Sequence, residues 1–346
     1  MLLGDYFNNI KDSYKKFFFS GISFNNNQVK KDNIFFAIKG SNVDGNNFIL
    51  SAIRNGAKII VTEKKEDGFK NDILFIKSRN VRKLLAEISF KIYNDIPKNI
   101  IAVTGTNGKS SIADFYYQIL NLNKKKVASI GTLGVKSKNL RMNLLNTTID
   151  PIKLSKILSN LKKKKVDNVI MEASSHGLKQ NRLDGLLFNT GIFTNLSQDH
   201  LDYHKNLKNY LKAKLYLFEK LIKKNGNVIA DKEIPQFQKI KKITLNKNLN
   251  LYSLNSQKNN FQYLSHRFQE EAQLLQISYN NLIYKIKLNL IGKIQLKNVL
   301  MAVIASIKSN VKIKDNENYT DFRLSGEVPL VQIYRMFVKM RLIWLM

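Results

Sequence analysis

Residues 100–111 read IIAVTGTNGKSS, an apolar run that breaks at a glycine-containing loop and opens onto a helical pattern. A strand that ends in small residues lets backbone N–H groups and the N-terminus of the next helix converge on an anion. Lys109 adds positive charge at this point, and the hydroxyl of Ser110 can hold Mg²⁺. A lysine-containing turn between a strand and a helix is the plainer alternative. The strand before the loop and the helix after it favour a phosphate-binding loop.

This loop differs from the common phosphate-binding pattern G-x-x-x-x-G-K-[ST] in one respect. The first glycine of that pattern falls where Val103 stands, so the loop of this chain is shortened. The departure indicates a particular subfamily of nucleotide-binding proteins rather than P-loop proteins in general.

Length and composition narrow the class of protein. A chain of 346 residues is long enough for about two or three domains. The absence of cysteine from the sequence excludes disulfides and thiolate metal sites, and it fits a reducing compartment, so we expect a cytoplasmic protein. No apolar run reaches the ~18 residues that a membrane-spanning helix needs, so we expect no membrane insertion. We also expect the chain to act as a monomer.

The formal net charge of +31 favours a nucleic-acid-binding protein, since basic surfaces attract phosphate backbones. The lysines are scattered through nearly every segment instead of forming one stripe, and they accompany a heavy use of Asn and Ile. This distribution indicates a compositional bias of the whole sequence, and we expect no nucleic-acid partner. Nucleic-acid binding stays as the alternative from another class of function.

The pattern of apolar residues predicts an α/β protein. Residues 1–97 read as a small N-terminal α/β domain, and residues 98–315 as a mostly parallel-sheet, P-loop ATPase-like central domain. The predicted strands span 34–38, 59–61, 73–76, 100–104, 127–130, 168–171, 188–193 and 227–230. The predicted helices span 48–55, 81–93, 110–121, 151–163, 207–223 and 296–309, and alternating residues from 261 to 290 predict antiparallel strands at one edge.

Polar residues follow two apolar strands of the predicted central sheet. Glu172 ends the strand 168–171, and Asp199 and His200 follow the strand 188–193. Because ligands of open α/β sheets sit at the carboxyl ends of the strands, we expect these side chains beside the phosphate-binding loop. A carboxylate and an imidazole in this position are candidate ligands or outer-sphere groups for a catalytic Mg²⁺.

Several blocks of the sequence resemble the Mur ligases. They are GTNGKS at 105–110, NTT at 146–148, EASSHGL at 172–178, FTNL at 193–196 with DHLDYH at 199–204, and AK at 213–214. Their order and spacing agree over residues 20–310, and they are most similar to the branch of UDP-N-acetylmuramoyl-tripeptide synthetases.

The resemblance implies an ATP-dependent amide ligase of peptidoglycan synthesis. Such enzymes phosphorylate the terminal carboxylate of UDP-MurNAc-L-Ala-D-Glu, and the amine of a diamino acid then attacks the acyl phosphate. The diamino acid is usually meso-diaminopimelate or L-lysine, and both stay open here.

The resemblance also implies roles for individual residues. ATP would be bound by Gly105, Thr106, Asn107, Gly108, Lys109, Ser110, Ser111 and Asn298. Mg²⁺ would be held by Ser110, Glu172, His200 and a carbamylated Lys214, and the catalytic residues would be Lys109, Lys214 and His200. The muramoyl-dipeptide would contact Asn146, Thr147, Thr148, Ser174, Gln180 and Arg182, and its uridine end would lie near Phe24, Asn26, Ser41, Asn42 and Val43.

The chain also departs from the family pattern. Residues 25–27 read NNN where Asp-Ser-Arg is usual, and Glu327 follows Gly326 where Arg is usual. The resemblance stops after this point, so residues 316–346 read as a remnant of a frameshifted or truncated C-terminal domain. We therefore expect this chain to ligate poorly or not at all. A folylpolyglutamate synthetase-like ligase, which shares the loop and the carboxylate chemistry, is the alternative enzyme.

Overall fold

The structure is a computed structural model, and it describes residues 1–8, 10–40, 43–138, 140–254, 261–269, 272–279, 282–288 and 293–311. Ser41 and Asn42, for which the resemblance implies contacts with the uridine end, lie outside the described residues, as does the segment 316–346. Within the described ranges, no helix is both long enough and apolar enough to cross a membrane.

The described residues alternate between strands and helices, as the sequence predicts. The strands are β1 Gly21–Ser23, β2 Asn33–Phe36, β3 Ala57–Thr62, β4 Gly68–Lys70, β5 Ile73–Lys77, β6 Asn99–Thr104, β7 Val127–Gly131, β8 Gly134–Ser137, β9 Leu140–Met142, β10 Asn168–Glu172, β11 Phe188–Phe193, β12 Ile222–Asp231, β13 Asn250–Leu254, β14 Phe261–Gln269, β15 Ala272–Tyr279 and β16 Leu282–Leu288. The helices are α1 Leu3–Tyr6, α2 Ile49–Arg54, α3 Val81–Ile92, α4 Lys109–Leu122, α5 Pro151–Lys163, α6 Ser175–Lys179, α7 Leu201–His204, α8 Leu207–Tyr216, α9 Phe237–Asn246 and α10 Lys293–Ile307.

The first sheet has the strand order β1-β2-β3-β5-β4. Neighbouring strands pair in parallel, except that β4 runs antiparallel to β5. The predicted strands and helices of this part of the chain are confirmed, although β2 ends at Phe36 instead of Ile38. The three-residue strands β1 and β4 were not predicted, because such short strands show no alternation that a pattern can detect.

The second sheet has the strand order β13-β12-β11-β6-β10-β7-β8-β9, and its strands are parallel from β13 to β7. Successive residues of β6 are buried on opposite faces. Ile101 and Val103 pack into one apolar cluster, while Ile100 and Ala102 pack into another. A strand that is covered on both faces must be apolar throughout, which explains why the run before the loop shows no alternation.

Helices cover both faces of the second sheet. The apolar side chains of α4 and α10 pack with Ile101 on one face, and those of α5 pack with Ile100 on the other. The start of α5 is fixed by Asp150, whose side chain accepts a hydrogen bond from the Lys153 N–H at 2.9 Å. Pro151 occupies the first turn, where its missing N–H costs nothing, so the predicted start of this helix is confirmed.

The predicted helix 207–223 and strand 227–230 are wrong in their bounds. The helix α8 ends at Tyr216, a π-helical segment spans Leu217–Leu221, and β12 begins at Ile222. Strand β12 begins earlier than predicted because Ile222 already pairs with Phe188 of β11. After a register shift, regular pairing with β11 continues from Asn227. Hydrogen bonding to a distant strand here overrides the local helical pattern.

The antiparallel strands predicted between 261 and 290 are confirmed, but their predicted position at a sheet edge is wrong. Strands β14, β15 and β16 form a separate three-stranded sheet. The pattern also missed β8, β9, β13 and α9, which lie at or beside the ends of the second sheet.

Packing on the α5 face can be tested with two leucines. Leu158 is fully buried, whereas Leu145 is 97% exposed, so the two make a matched pair. We expect Leu158→Ala to lower the free energy of unfolding by ~2–5 kcal/mol, because the truncation leaves a cavity. Leu145→Ala should change it by about 0.5 kcal/mol or less. Urea unfolding followed by circular dichroism measures both values, and equal losses would contradict the packing described here.

Candidate active site

The loop between β6 and α4 has a backbone that requires glycine at two positions. Gly105 has φ +147°, and a Cβ placed on it would lie 1.8 Å from Thr194 Oγ1. Gly108 has φ +85°, and a Cβ there would lie 2.7 Å from Asn298 Oδ1. The loop therefore folds tightly and brings its backbone N–H groups to the start of α4, which is the geometry that phosphate binding requires.

The end of β11 holds this loop in place. The Thr194 hydroxyl donates to the Asn107 carbonyl at 2.6 Å, and the Asn107 N–H donates to Asn195 Oδ1 at 3.0 Å. The Thr106 N–H donates to the Asn195 carbonyl at 2.9 Å. Thr194 and Asn195 were not predicted as site residues, although they stand at a strand end beside the predicted loop, which is the signal that identifies them.

Asn298, which the resemblance assigns to ATP, lies directly against the loop. Its side chain is 4% exposed, faces Gly108 and donates to Gln295 Oε1 at 3.2 Å. The first half of α10 therefore brings a distant polar group to the N-terminus of α4.

Two lysine side chains share one backbone acceptor inside the loop. Lys109 Nζ donates to the Gly105 carbonyl at 3.1 Å and to the Thr106 carbonyl at 2.7 Å. Lys214 Nζ donates to the same Gly105 carbonyl at 2.6 Å, and its side chain is 1% exposed. The predicted catalytic lysines are thus brought together.

Burial changes the protonation of both ammonium groups. Burial lowers the pKa of Lys109, although the charges of Glu172 and Asp199 oppose this shift. Burial, reinforced by the positive charge of Lys109, lowers the pKa of Lys214 to about 6. At neutral pH Lys214 therefore carries mostly an uncharged amine.

Ser110 and Glu172 form the pair that the strand-end argument predicts. The Ser110 hydroxyl donates to Glu172 Oε1 at 2.9 Å, and the Thr132 N–H donates to the same oxygen at 2.9 Å. The Thr132 hydroxyl donates to Glu172 Oε2 at 3.2 Å. Thr132 was not predicted, although it directly follows β7, the strand beside β10.

This pair has the chemistry of a magnesium site. A buried carboxylate and a hydroxyl are the hard oxygen ligands that Mg²⁺ takes, usually together with phosphate oxygens and water. Among the described residues, no three His, Cys, Asp or Glu side chains are grouped closely enough to hold a metal ion. Ser110 and Glu172 are thus two oxygen ligands of the kind that Mg²⁺ takes.

His200, the remaining predicted metal ligand, lies in a cluster of aromatic rings. Its ring is 4.8 Å from that of His176 and 6.3 Å from that of Tyr210, and its Nε2 is 3.4 Å from Asp199 Oδ2. Half of its side chain is exposed. In the described part of the chain the contacts of the His200 ring are with these residues rather than with Ser110 or Glu172. The structure therefore divides the predicted metal ligands into two groups.

Tyr210 connects this cluster to the loop. Its ring lies 4.3 Å below Lys214 Nζ, and its hydroxyl is 3.3 Å from Thr106 Oγ1. On its other side, the ring packs 5.0 Å from that of the fully buried His204. Burial, followed by the positive charge of His176, lowers the pKa of His204 to about 4, so this imidazole is neutral. Sequence reasoning missed Tyr210, although it stands one helical turn before Lys214 on the same face of α8.

The residues assigned to the muramoyl-dipeptide form a chain of hydrogen bonds that begins at Glu172. The Thr148 hydroxyl donates to the Glu172 carbonyl at 2.9 Å and accepts from the Ser174 N–H at 2.9 Å. The Ser174 hydroxyl itself caps α6 by accepting from the Gly177 N–H. The Thr147 hydroxyl is 2.9 Å from that of Thr132, and Asn146 is exposed.

Arg182 and Gln180 extend this chain. Arg182 donates from Nε and Nη2 to Gln180 Oε1, at 3.1 and 2.7 Å, and from Nη1 to the Thr148 carbonyl. Gln180 Nε2 donates to the Tyr203 hydroxyl at 3.1 Å. The two predicted side chains are therefore held in fixed orientations.

The residues predicted near the uridine end lie on loops of the first sheet. Phe24 directly follows β1 and is 39% exposed, and Val43 lies in the loop after β2 and is 55% exposed. Asn26 donates to Ser51 Oγ at 3.0 Å, which fixes it to α2. These loops leave apolar side chains open to a ligand, at the carboxyl ends of the first two strands.

Sequence patterns of one family match both parts of the chain. Residues 19–93 match the pattern described as "Mur ligase family, catalytic domain", and residues 103–306 match the "Mur ligase middle domain".

Individual proteins that are similar to this chain are also Mur ligases. The chain is 36% identical over 311 residues to the UDP-N-acetylmuramoyl-L-alanyl-D-glutamate–2,6-diaminopimelate ligase of Rickettsia prowazekii, covering 89% of this chain and 64% of the relative. It is 37% identical over 302 residues to the enzyme of that name from Rickettsia conorii, covering 86% and 62%. A solved structure of a ligase with this name is similar with a TM-score of 0.76 at 25% identity, covering 88% of this chain and 62% of that one. The chain thus spans less than two thirds of the length of these relatives. Its match to the two Mur ligase patterns and its identity to these relatives show that it belongs to the Mur ligase family.

Proposed function

We propose that the chain binds ATP and a UDP-muramoyl-dipeptide as part of a ligase that joins the dipeptide to a diamino acid. The observation that carries this proposal is the contact of Ser110 with Glu172 at the start of α4, next to Lys109. The names of the relatives specify 2,6-diaminopimelate, which we propose as the incoming amino acid.

The loop is suited to the phosphates of ATP. The first N–H groups of α4 have no partner within the helix, and the positive end of the helix dipole lies at the same place. Lys109 Nζ, which donates to two loop carbonyls, can turn from them to a phosphate. Ser110 and Glu172 would hold Mg²⁺, which when bound supplies neutralisation of the phosphate charge.

The reaction needs positioning more than a protein nucleophile. The terminal carboxylate of the dipeptide accepts the γ-phosphoryl group and ADP leaves; the amine of the diamino acid then attacks the carbonyl carbon, loses a proton and expels phosphate. Catalysis of such a transfer consists mainly of alignment and charge neutralisation. The hydrogen-bonded chain from Glu172 through Thr148 to Arg182 supports a dipeptide that lies along it, with its reactive end at Glu172.

Lys214 is suited to carbamylation, the modification that the resemblance implies. An uncharged lysine amine can attack CO₂, and loss of its proton leaves a carbamate of charge −1. Because the pKa of Lys214 is lowered to about 6, the reactive form dominates at neutral pH. The change also places a carbamate of charge −1 beside the cationic Lys109, and we propose the attraction between these two groups as its driving force.

We assign residues 1–97 to the uridine end of the substrate and residues 98–315 to ATP and the reacting carboxylate. The separate sheets of the two parts support this division. The exposed Phe24 and Val43 supply apolar contacts for a nucleobase. ATP and the UDP-linked dipeptide are both nucleotides, and we propose a cytoplasmic location for the chain.

Lys109→Ala tests the nucleotide site. We expect the affinity for Mg·ATP to fall at least ~10-fold, because a charge-assisted contact to phosphate is lost. Isothermal titration calorimetry measures this affinity. Lys124→Ala removes an exposed lysine just beyond the far end of α4 and should leave the affinity unchanged. Full affinity in Lys109→Ala would count against the central assignment.

Lys214→Met tests the buried amine. The folded-state pKa of about 6 lies below the ordinary 10.5, so between these values the unfolded chain binds the extra proton and stability rises with pH. Below pH 6 the folded state carries the full cost of a buried, protonated lysine. In CO₂-free buffer we expect Lys214→Met to be more stable than the unsubstituted chain near pH 6, with a difference that shrinks toward pH 10.5. Lys212→Met, at an exposed position of α8, is the control, and a pH-independent difference would contradict the low pKa.

Ligand-induced stabilisation tests the substrate class. At a concentration of 100 times its dissociation constant, UDP-MurNAc-L-Ala-D-Glu should raise the free energy of unfolding by about 2.7 kcal/mol. Folate at the same concentration should leave the melting temperature unchanged. Stabilisation by folate alone would replace the proposed function with a folylpolyglutamate synthetase-like one.

A further inference from the structure

Two arginines lie on neighbouring segments where the two parts of the chain meet. Arg82 lies in the first turn of α3, and Arg182 follows α6. A hydrogen bond of 3.1 Å from Asn80 Nδ2 to Asn181 Oδ1 joins the segments that carry them. Burial, and then the positive charge of Arg82, lowers the pKa of Arg182, so Arg82 is the charged group that influences it most.

This concentration of positive charge is not balanced by direct ion pairs. Among the described residues, neither Arg82 nor Arg182 forms an ion pair with a carboxylate. Glu63 acts on Arg82, and Asp150 on Arg182, only through longer-range electrostatic attraction. Two partly buried cations without a direct counter-charge are costly unless an anion binds between them.

The hydrogen bonds of the two guanidinium groups show which of them has capacity for a ligand. Arg182 uses Nε, Nη1 and Nη2 in bonds to Gln180 and Thr148. Arg82 makes one bond within the described chain, from Nη2 to the Lys39 carbonyl at 2.9 Å. Most of the N–H donors of Arg82 thus stay available, in the fork geometry that matches phosphate.

The residue type supports this interpretation. The sequence contains nine arginines and 48 lysines, so lysine is the default cation of this chain. Arginine nevertheless occupies both positions at this junction. A planar guanidinium recognises an oxyanion with two parallel hydrogen bonds, which a lysine ammonium cannot do.

The position of Arg82 indicates which anion binds there. The carbonyl that it contacts belongs to Lys39, at the start of the loop that carries Val43 and is assigned to the uridine end. On the other side, Arg182 donates to the Thr148 carbonyl, and the Thr148 hydroxyl donates to the carbonyl of Glu172, which lies beside the loop that is assigned to ATP. In the proposed substrate, the group that lies between the uridine and the muramoyl-dipeptide is the pyrophosphate. We propose, on the basis of the proposed function, that Arg82 together with Arg182 binds the pyrophosphate of the UDP-linked substrate.

Two ligands distinguish the pyrophosphate from the carboxylates of the peptide. UDP-N-acetylglucosamine carries the pyrophosphate and no carboxylate, whereas UDP-MurNAc-L-Ala-D-Glu carries both. We expect Arg82→Gln to weaken the binding of both ligands by ~10- to 100-fold in isothermal titration calorimetry. Arg82→Lys should recover only part of this loss. Arg79→Gln, at an exposed position of the same segment, should bind both ligands normally.

The outcomes separate this proposal from the proposed function. If Arg82→Gln bound both ligands with unchanged affinity, Arg82 would have no role in binding. If only the binding of the peptide-bearing ligand weakened, Arg82 would contact a carboxylate of the peptide, and the pyrophosphate assignment would be overturned. If the unsubstituted chain bound neither ligand, the proposed function would fail together with this inference. The Mg·ATP affinity of Arg82→Gln should equal that of the unsubstituted chain, which shows that the second sheet is still folded.

Discussion

The carbonyl oxygen of Gly105 accepts hydrogen bonds from two lysine side chains, and the arrangement of the site depends on this contact. One lysine comes from the loop itself and the other from α8, so the shared acceptor ties a distant helix to the end of β6. Two ammonium groups cannot both stay charged at such a distance in a buried position. Lys214 has the lower pKa of the two lysines, so it is a neutral amine beside a cationic Lys109.

Contacts of the second sheet keep this acceptor in place. Thr194 and Asn195 bind the loop backbone from β11, and Tyr210 supports Lys214 from below. Parallel strands end at one edge, so each of these groups reaches the loop from a different strand or from the helix that follows it. The carboxylate of Glu172 enters the same space from β10 and completes a site with a cationic side and an anionic side.

The parts of the site that depend on local sequence could be predicted, and those that depend on distant pairing could not. The shortened loop and its helix are encoded within residues 100–111, and the strand-end rule correctly placed Glu172 beside Ser110. Thr132 directly follows β7, so the strand-end rule could have identified it. Arg82 carries no local signal, because the carbonyl that it contacts belongs to the distant Lys39. The early start of β12 has the same cause, since its partner strand β11 lies outside any local window.

The crystal structure of the chain with Mg²⁺ and a non-hydrolysable ATP analogue would test the central claim most directly. The account predicts that the β- and γ-phosphates accept hydrogen bonds from the backbone N–H groups of residues 108–110. It also predicts that Lys109 Nζ leaves the Gly105 and Thr106 carbonyls for a phosphate oxygen, and that the metal ion contacts Ser110 and Glu172. A nucleotide bound elsewhere, or one that leaves Lys109 on those carbonyls, would contradict the account.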